Sequence, residues 1–105
     1  MSQIDVLSKL LQGGQDSPLL RFGLGNALFK EQQYAQACEH LAVAVEQDPG
    51  YSAAWKLYGK ALAEAGRRDE AIQAYEHGIE TAQVKGDLQA AKEMQVFLKR
   101  LRKSD

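Results

Sequence analysis

Leu24-Gly25-Asn26-Ala27-Leu28-Phe29-Lys30 and, 34 residues later, Tyr58-Gly59-Lys60-Ala61-Leu62-Ala63-Glu64 govern the architecture of this chain. Each segment places a glycine inside a run of good helix formers. A mid-helix glycine costs about 1 kcal/mol against alanine, so two of them at equivalent places point to a packing reason. The same offset superposes Ala37 on Ala71 and Glu46 on Glu80, with Leu41 on Tyr75, Val45 on Ile79 and Ala44 on Gly78. Small residues fall on small and large apolar on large apolar, as a repeated helix hairpin requires. The second helix of each hairpin is expected to approach its glycine through an alanine, Ala37 against Gly25 and Ala71 against Gly59.

The rest of the chain divides into helices around these two segments. Apolar spacing and punctuation predict helices over about 3–12, 17–30, 34–47, 51–65, 69–84 and 87–103. Ser2 with Asp5 three residues on makes a capping box for the first, whose Ile4, Leu7 and Leu11 share a face. Ser17-Pro18 is an N-cap followed by proline at the first helical position. Gly13-Gly14, Asp48-Pro49-Gly50, Gly66 and Gly86 are the stops, and Asp87 is the N-cap of the last helix. Loops of two to five residues make neighbouring helices antiparallel. Fifteen alanines and thirteen leucines against nine valines, isoleucines and threonines agree with an all-α chain.

The chain has 105 residues and a formal net charge of -1, which suits one domain and argues against a general nucleic-acid binder. A lone cysteine, Cys38, allows no intrachain disulfide and suits a reducing, cytoplasmic setting. The first residues carry neither a basic stretch nor an apolar one, as a signal peptide would, and no run is long enough to span a membrane. No nucleic-acid or membrane partner is expected. The basic end, Lys99-Arg100-Leu101-Arg102-Lys103, is read as complementing the last helix's dipole.

The glycine segments extend into a fuller pattern. The second copy reads Trp55-x2-Tyr58-Gly59-x2-Leu62, then Ala71-x3-Tyr75; the first reads Arg21-x2-Leu24-Gly25-x2-Leu28, then Ala37-x3-Leu41, then Pro49. This resembles the tetratricopeptide repeat, a 34-residue helix hairpin. Arg21 stands where tryptophan is common and Gln83 where the closing proline is common, so the fifth helix is expected to outrun the third. The resemblance implies a right-handed stack of antiparallel helix hairpins, an α-solenoid of about six helices. Residues 17–50 and 51–86 would be the two repeats, with 1–16 and 87–105 as capping helices. The 34-residue register lands on Glu93 after Gly59. A glutamate fits that place if no further helix packs on it.

The resemblance also implies a site. In this family the first helices of successive repeats line a concave groove that binds peptide segments of partner proteins. Here that register points to Phe22, Asn26, Phe29 and Lys30 on the second helix and to Lys56, Lys60, Ala63 and Glu64 on the fourth. On the sixth it points to Ala90, Met94, Phe97 and Leu98. Parallel helices would set these stripes about 10 Å apart. Some members clamp a chaperone's terminal carboxylates with lysine, asparagine and arginine. Only Asn26 matches that clamp, since Phe22, Leu57, Asp87 and Ala91 replace its other groups.

Catalysis has little support. Cys38 and His40 are two apart on a helix and point to different faces, so they cannot share a metal. His77 is read as a surface residue and Cys38 as a small core residue. Gly13-Gly14 lacks the Lys-Ser/Thr of a phosphate loop, and no dinucleotide motif occurs. The reading is therefore a non-catalytic protein-interaction module without cofactor or metal, binding through Phe22, Asn26, Phe29, Lys30, Lys56, Lys60, Met94 and Phe97. The rivals are a self-associating homodimer using the same surface and, more remotely, a nucleic-acid-binding helical domain.

Overall fold

A computed structural model of the chain describes residues 2–103. The described residues form six helices and no strand: α1 (Gln3–Gln12), α2 (Pro18–Lys30), α3 (Tyr34–Gln47), α4 (Ser52–Glu64), α5 (Arg68–Lys85) and α6 (Leu88–Lys103). Among them no helix is long and apolar enough to cross a membrane. The capping box of α1 is formed, with Ser2 Oγ accepting from Asp5 N at 3.2 Å and Asp5 Oδ2 accepting from Ser2 N at 3.4 Å. Ser17 Oγ accepts from Leu20 N at 3.1 Å ahead of Pro18. Asp87 Oδ1 accepts from Ala90 N at 3.3 Å, which caps α6. α5 has 18 residues against 14 in α3, because Gln83 continues the helix where Pro49 closes the earlier hairpin.

Each helix packs on the next, and α4 also touches both α2 and α6. The α2/α3 and α4/α5 hairpins thus lie side by side, with α2, α4 and α6 forming one layer and α3 and α5 the other. The shortest dimension of 18 Å is that of two helix layers. Alanine dominates the buried set between layers: Ala37, Ala44, Ala54, Ala61, Ala71 and Ala82 are all fully buried. Trp55 touches every part of this core, and its indole Nε1 donates to Pro49 O at 2.9 Å. Thr81 Oγ1 donates to the same carbonyl at 3.4 Å, so the loop between hairpins is tied to α4 and α5 together.

The glycines do sit at a close approach, but against different partners from those expected. A Cβ at Gly25 would lie 2.5 Å from Leu41 Cγ, and one at Gly59 would lie 2.4 Å from Tyr75 Cε1. Each contact is one helical turn beyond the expected alanine. Sequence spacing specifies the face a helix presents; the height at which two helices meet depends on their crossing, which spacing does not carry. Gly78 makes a third such place, with Met94 Sδ 2.5 Å and Trp55 Cβ 2.8 Å from the position a Cβ would take. Met94, expected in the groove, is therefore fully buried against α5. Ala90 and Leu98 are buried with it.

Two hairpin turns share one backbone device. Gln32 has φ 61 and Gly66, 34 positions on, has φ 79. The left-handed conformation costs a residue with a Cβ about 1–2 kcal/mol, which glycine avoids. Gln32→Gly should therefore stabilise the fold by about 1 kcal/mol in a urea melt. Gly59→Ala separates packing from helix propensity. Propensity alone would stabilise α4 by about 1 kcal/mol, whereas overpacking against the buried Tyr75 ring costs about 1–3 kcal/mol. The expected outcome is a net loss, and a raised melting temperature would contradict the packing argument.

Candidate interaction groove

Between the C-terminal halves of α2, α4 and α6 lies a cavity of about 350 Å³. Phe29 comes from α2, Lys60, Ala63 and Glu64 from α4, and Phe97, Arg100 and Leu101 from α6. Tyr75 reaches the cavity from the other layer, from its place on α5. It can do so because Gly59 leaves its ring room beside α4. The first repeat has Leu41 on Gly25 instead, which is shorter and carries no hydroxyl. Phe97 and Tyr75 meet with ring centroids 5.9 Å apart, and Phe29 rests on Tyr34 at 5.3 Å. Lys60 Nζ sits 5.0 Å from the Phe97 centroid, a cation–π contact. Arg68 donates to Leu101 O at 3.0 and 2.7 Å, holding the end of α6 to the start of α5.

The expected residues separate here. Phe29, Lys60 and Phe97 converge on the cavity. Lys56 lies farther along α4, where its Nζ pairs with Glu93 Oε1 at 3.2 Å. Phe22 is half-buried against the core and meets Tyr51 in a tilted ring pair, centroids 5.1 Å apart. Asn26 is half-buried and Lys30 exposed, and neither lines the cavity. Met94 is buried, as described above, because α6 turns Glu93 and Phe97 toward α4 and Met94 toward Gly78. Three lining residues lay outside the expected set: Tyr75, Arg100 and Leu101. Tyr75 was visible as the large residue of Ala71-x3-Tyr75, but nothing in its spacing says that it passes through to the far face. Arg100 and Leu101 lay inside a segment whose charges read as helix-end cations.

The nucleophilic and titratable candidates are engaged elsewhere. Cys38 is buried, and that burial pushes its thiol pKa up, away from the reactive thiolate. His77 stacks on Trp55 with centroids 5.3 Å apart and planes 19° apart. Arg21 forms a fork on Asp16, Nε to Oδ1 at 2.8 Å and an amino nitrogen to Oδ2 at 3.0 Å, and its other amino group lies 3.0 Å from His40 Nδ1. A guanidinium only donates, so His40 Nδ1 accepts and the imidazole is neutral with its proton on Nε2.

A stack of antiparallel helix hairpins with glycine close approaches on a 34-residue period is a helical-repeat protein. The profile of the tetratricopeptide repeat matches residues 28–94, and the chain belongs to that family. A TPR repeat-containing protein of Pseudomonas aeruginosa is 52% identical over 98 residues, covering 93% of each chain. The solution structure of a Bordetella parapertussis protein is similar with a TM-score of 0.85 at 44% identity, covering 100% of this chain and 91% of that one. YrrB, described as a TPR protein with an unusual peptide-binding site, has a TM-score of 0.72 at 25% identity, covering 96% of this chain and 59% of its own.

Arg21 replaces the family's tryptophan, and the network it builds gives the fold a pH dependence. Burial, then the charge of Arg21, lowers the His40 pKa below its ordinary 6.5. The unfolded chain therefore binds a proton at His40 before the folded one does. This contribution to stability is complete above pH 6.5 and is lost as pH falls through the folded value. Asp16, held down to about 2 by the hydrogen bonds from Arg21 and Gln47, responds only at much lower pH. The urea midpoint should fall between about pH 7 and pH 5, and His40→Gln should remove most of that fall. An equal fall in the variant would assign it to other groups.

Proposed function

We propose that this chain is a non-catalytic protein-interaction module that binds a peptide segment of a partner in its concave groove. Tetratricopeptide repeat domains are generally interaction modules, and the YrrB neighbour is described as having a peptide-binding site. The observation that carries the reading is the cavity of about 350 Å³ at the meeting of α2, α4 and α6, with Phe29 and Phe97 on its walls. Such a cavity can desolvate an apolar side chain while the rim groups orient it. The rest of the expected stripe, Phe22, Asn26, Lys30 and Lys56, would extend the groove toward the N-terminal ends of α2 and α4. The buried Cys38 thiol suits the reducing cytoplasm.

The test is isothermal titration of a partner captured from native lysate against wild type, Phe29→Ala and Phe97→Ala. Each variant should weaken binding about tenfold, or ~1.4 kcal/mol, while keeping wild-type helicity. Equal affinity for all three would move the site off the groove. Light scattering on the eluting peak addresses self-association: a dimer that dissociates in Phe97→Ala would assign this surface to a second copy.

A further inference from the structure

The two ends of the groove differ in charge. Toward the N-terminal end of α4, Lys56 is neutralised by Glu93 at 3.2 Å. The cavity at the other end is lined by two cations, Lys60 and Arg100, and one carboxylate, Glu64. Among the described residues neither cation takes part in an ion pair. Lys60 is held by the Phe97 ring instead. A ring binds one side of an ammonium group and leaves its other N–H donors free.

The floor adds a second signal. Tyr75 is 2% exposed and lines the cavity, yet among the described residues its hydroxyl has no hydrogen-bond partner. Among the described residues no buried side-chain oxygen or nitrogen lacks a partner, so the hydroxyl keeps its access to solvent through the cavity and its donor is open to whatever enters. An oxygen acceptor entering the cavity can take that donor.

From this we infer that the cavity takes a large apolar side chain from a partner segment with a carboxylate on the adjoining residue. The inference rests on the groove reading above and names the chemistry of its ligand. The apolar side chain lies between Phe29 and Phe97. The carboxylate accepts from Lys60 and Arg100, and the Tyr75 hydroxyl donates to an oxygen of the segment. Among the described residues the opposite end offers no free cation, because Glu93 cancels Lys56 there. The acidic residue of the segment therefore lies at the α6 C-terminal end, which fixes the direction of binding.

The test uses blocked synthetic hexapeptides, acetyl-Gly-Ser-X-Z-Ser-Gly-amide, with X-Z being Trp-Glu, Trp-Lys or Ala-Glu. Each is titrated by NMR into the full isotope-labelled chain. The Trp-Glu peptide should bind at least fivefold tighter than the other two, with the largest shifts at Lys60, Ala63, Phe97 and the Arg100 Nε. Arg100→Glu should reverse the order of Trp-Glu and Trp-Lys. Tyr75→Phe keeps the ring against Gly59 and should weaken Trp-Glu severalfold. If Trp-Lys binds in the same cavity as well as Trp-Glu, the carboxylate assignment is wrong and the groove reading stands. If no peptide binds, or shifts gather on α3 and α5, both fail.

Discussion

The absence of one side chain, at Gly59, is the constraint on which the rest of the molecule depends. It lets the Tyr75 ring lie directly on α4. The ring seals the α4/α5 hairpin against α6 and also lines the cavity on the far side. The same contact is thus part of the core and part of the candidate site. Burial pushes the Tyr75 pKa well above its ordinary value, so the phenol stays protonated and keeps a donor at the cavity floor. Gly25 with Leu41 repeats the packing in the first hairpin but not its consequence, because leucine brings no polar atom. The backbone solution is shared, and only the second repeat brings a hydroxyl to the cavity.

Most of the fold was legible because it depends on local rules. Helix positions followed from periodicity, and the ends from Ser2, Ser17, Pro18 and Gly86, each of which acts on backbone groups a few residues away. What was not legible depends on the relative placement of helices. The glycines were recognised as packing points, yet their partners lay a turn further on, at Leu41 and Tyr75. The rotation of α6 went unseen for the same reason. Extending the 34-residue register put Met94 on the groove stripe, whereas α6 turns Glu93 and Phe97 toward α4 and Met94 toward Gly78. Gln32 was missed because its left-handed turn is required by the repeat while its side chain gives no sign of it. Of the candidate site, Phe29, Lys60 and Phe97 were readable from helical register, and Tyr75 was not, since it arrives from the opposite layer.

The two ends of the stack are unequal. α6 buries Ala90, Ala91, Met94 and Leu98. It is tied at its start by Ser52 Oγ donating to Asp87 Oδ2 at 3.1 Å, and near its end by Arg68 on Leu101 O and Arg102 on Glu76. α1 buries no residue, and Val6 and Leu10 on it are exposed. A helix of ten residues is below the length at which helices persist alone, so α1 depends on the half-buried Ile4, Leu7 and Leu11. These contacts place it at the low-stability end of the molecule. Most of the candidate cavity lies at the well-tied end, where α4 and α6 cannot separate without opening the α5/α6 core.

That location bears on how a bound segment could divide its energy between apolar and charged contacts. Burying one large apolar side chain is worth about 1.5–3 kcal/mol. An exposed ion pair is worth about 0.2–1 kcal/mol, and Lys60 must keep or loosen its contact with Phe97 to make one. Ordering the segment opposes both by about 0.5–1.5 kcal/mol for each immobilised side chain. A rigid cavity reduces the cost on the protein's side, because Phe97 is already held by Tyr75 and Lys60. The apolar contact then has to supply most of the affinity, while the cations act through direction and rate of encounter. A groove that binds a segment in this way would discriminate more by the order of its residues than by their number. Reversing an apolar–acidic pair would keep every side chain yet bring the carboxylate toward Glu93 instead of Arg100.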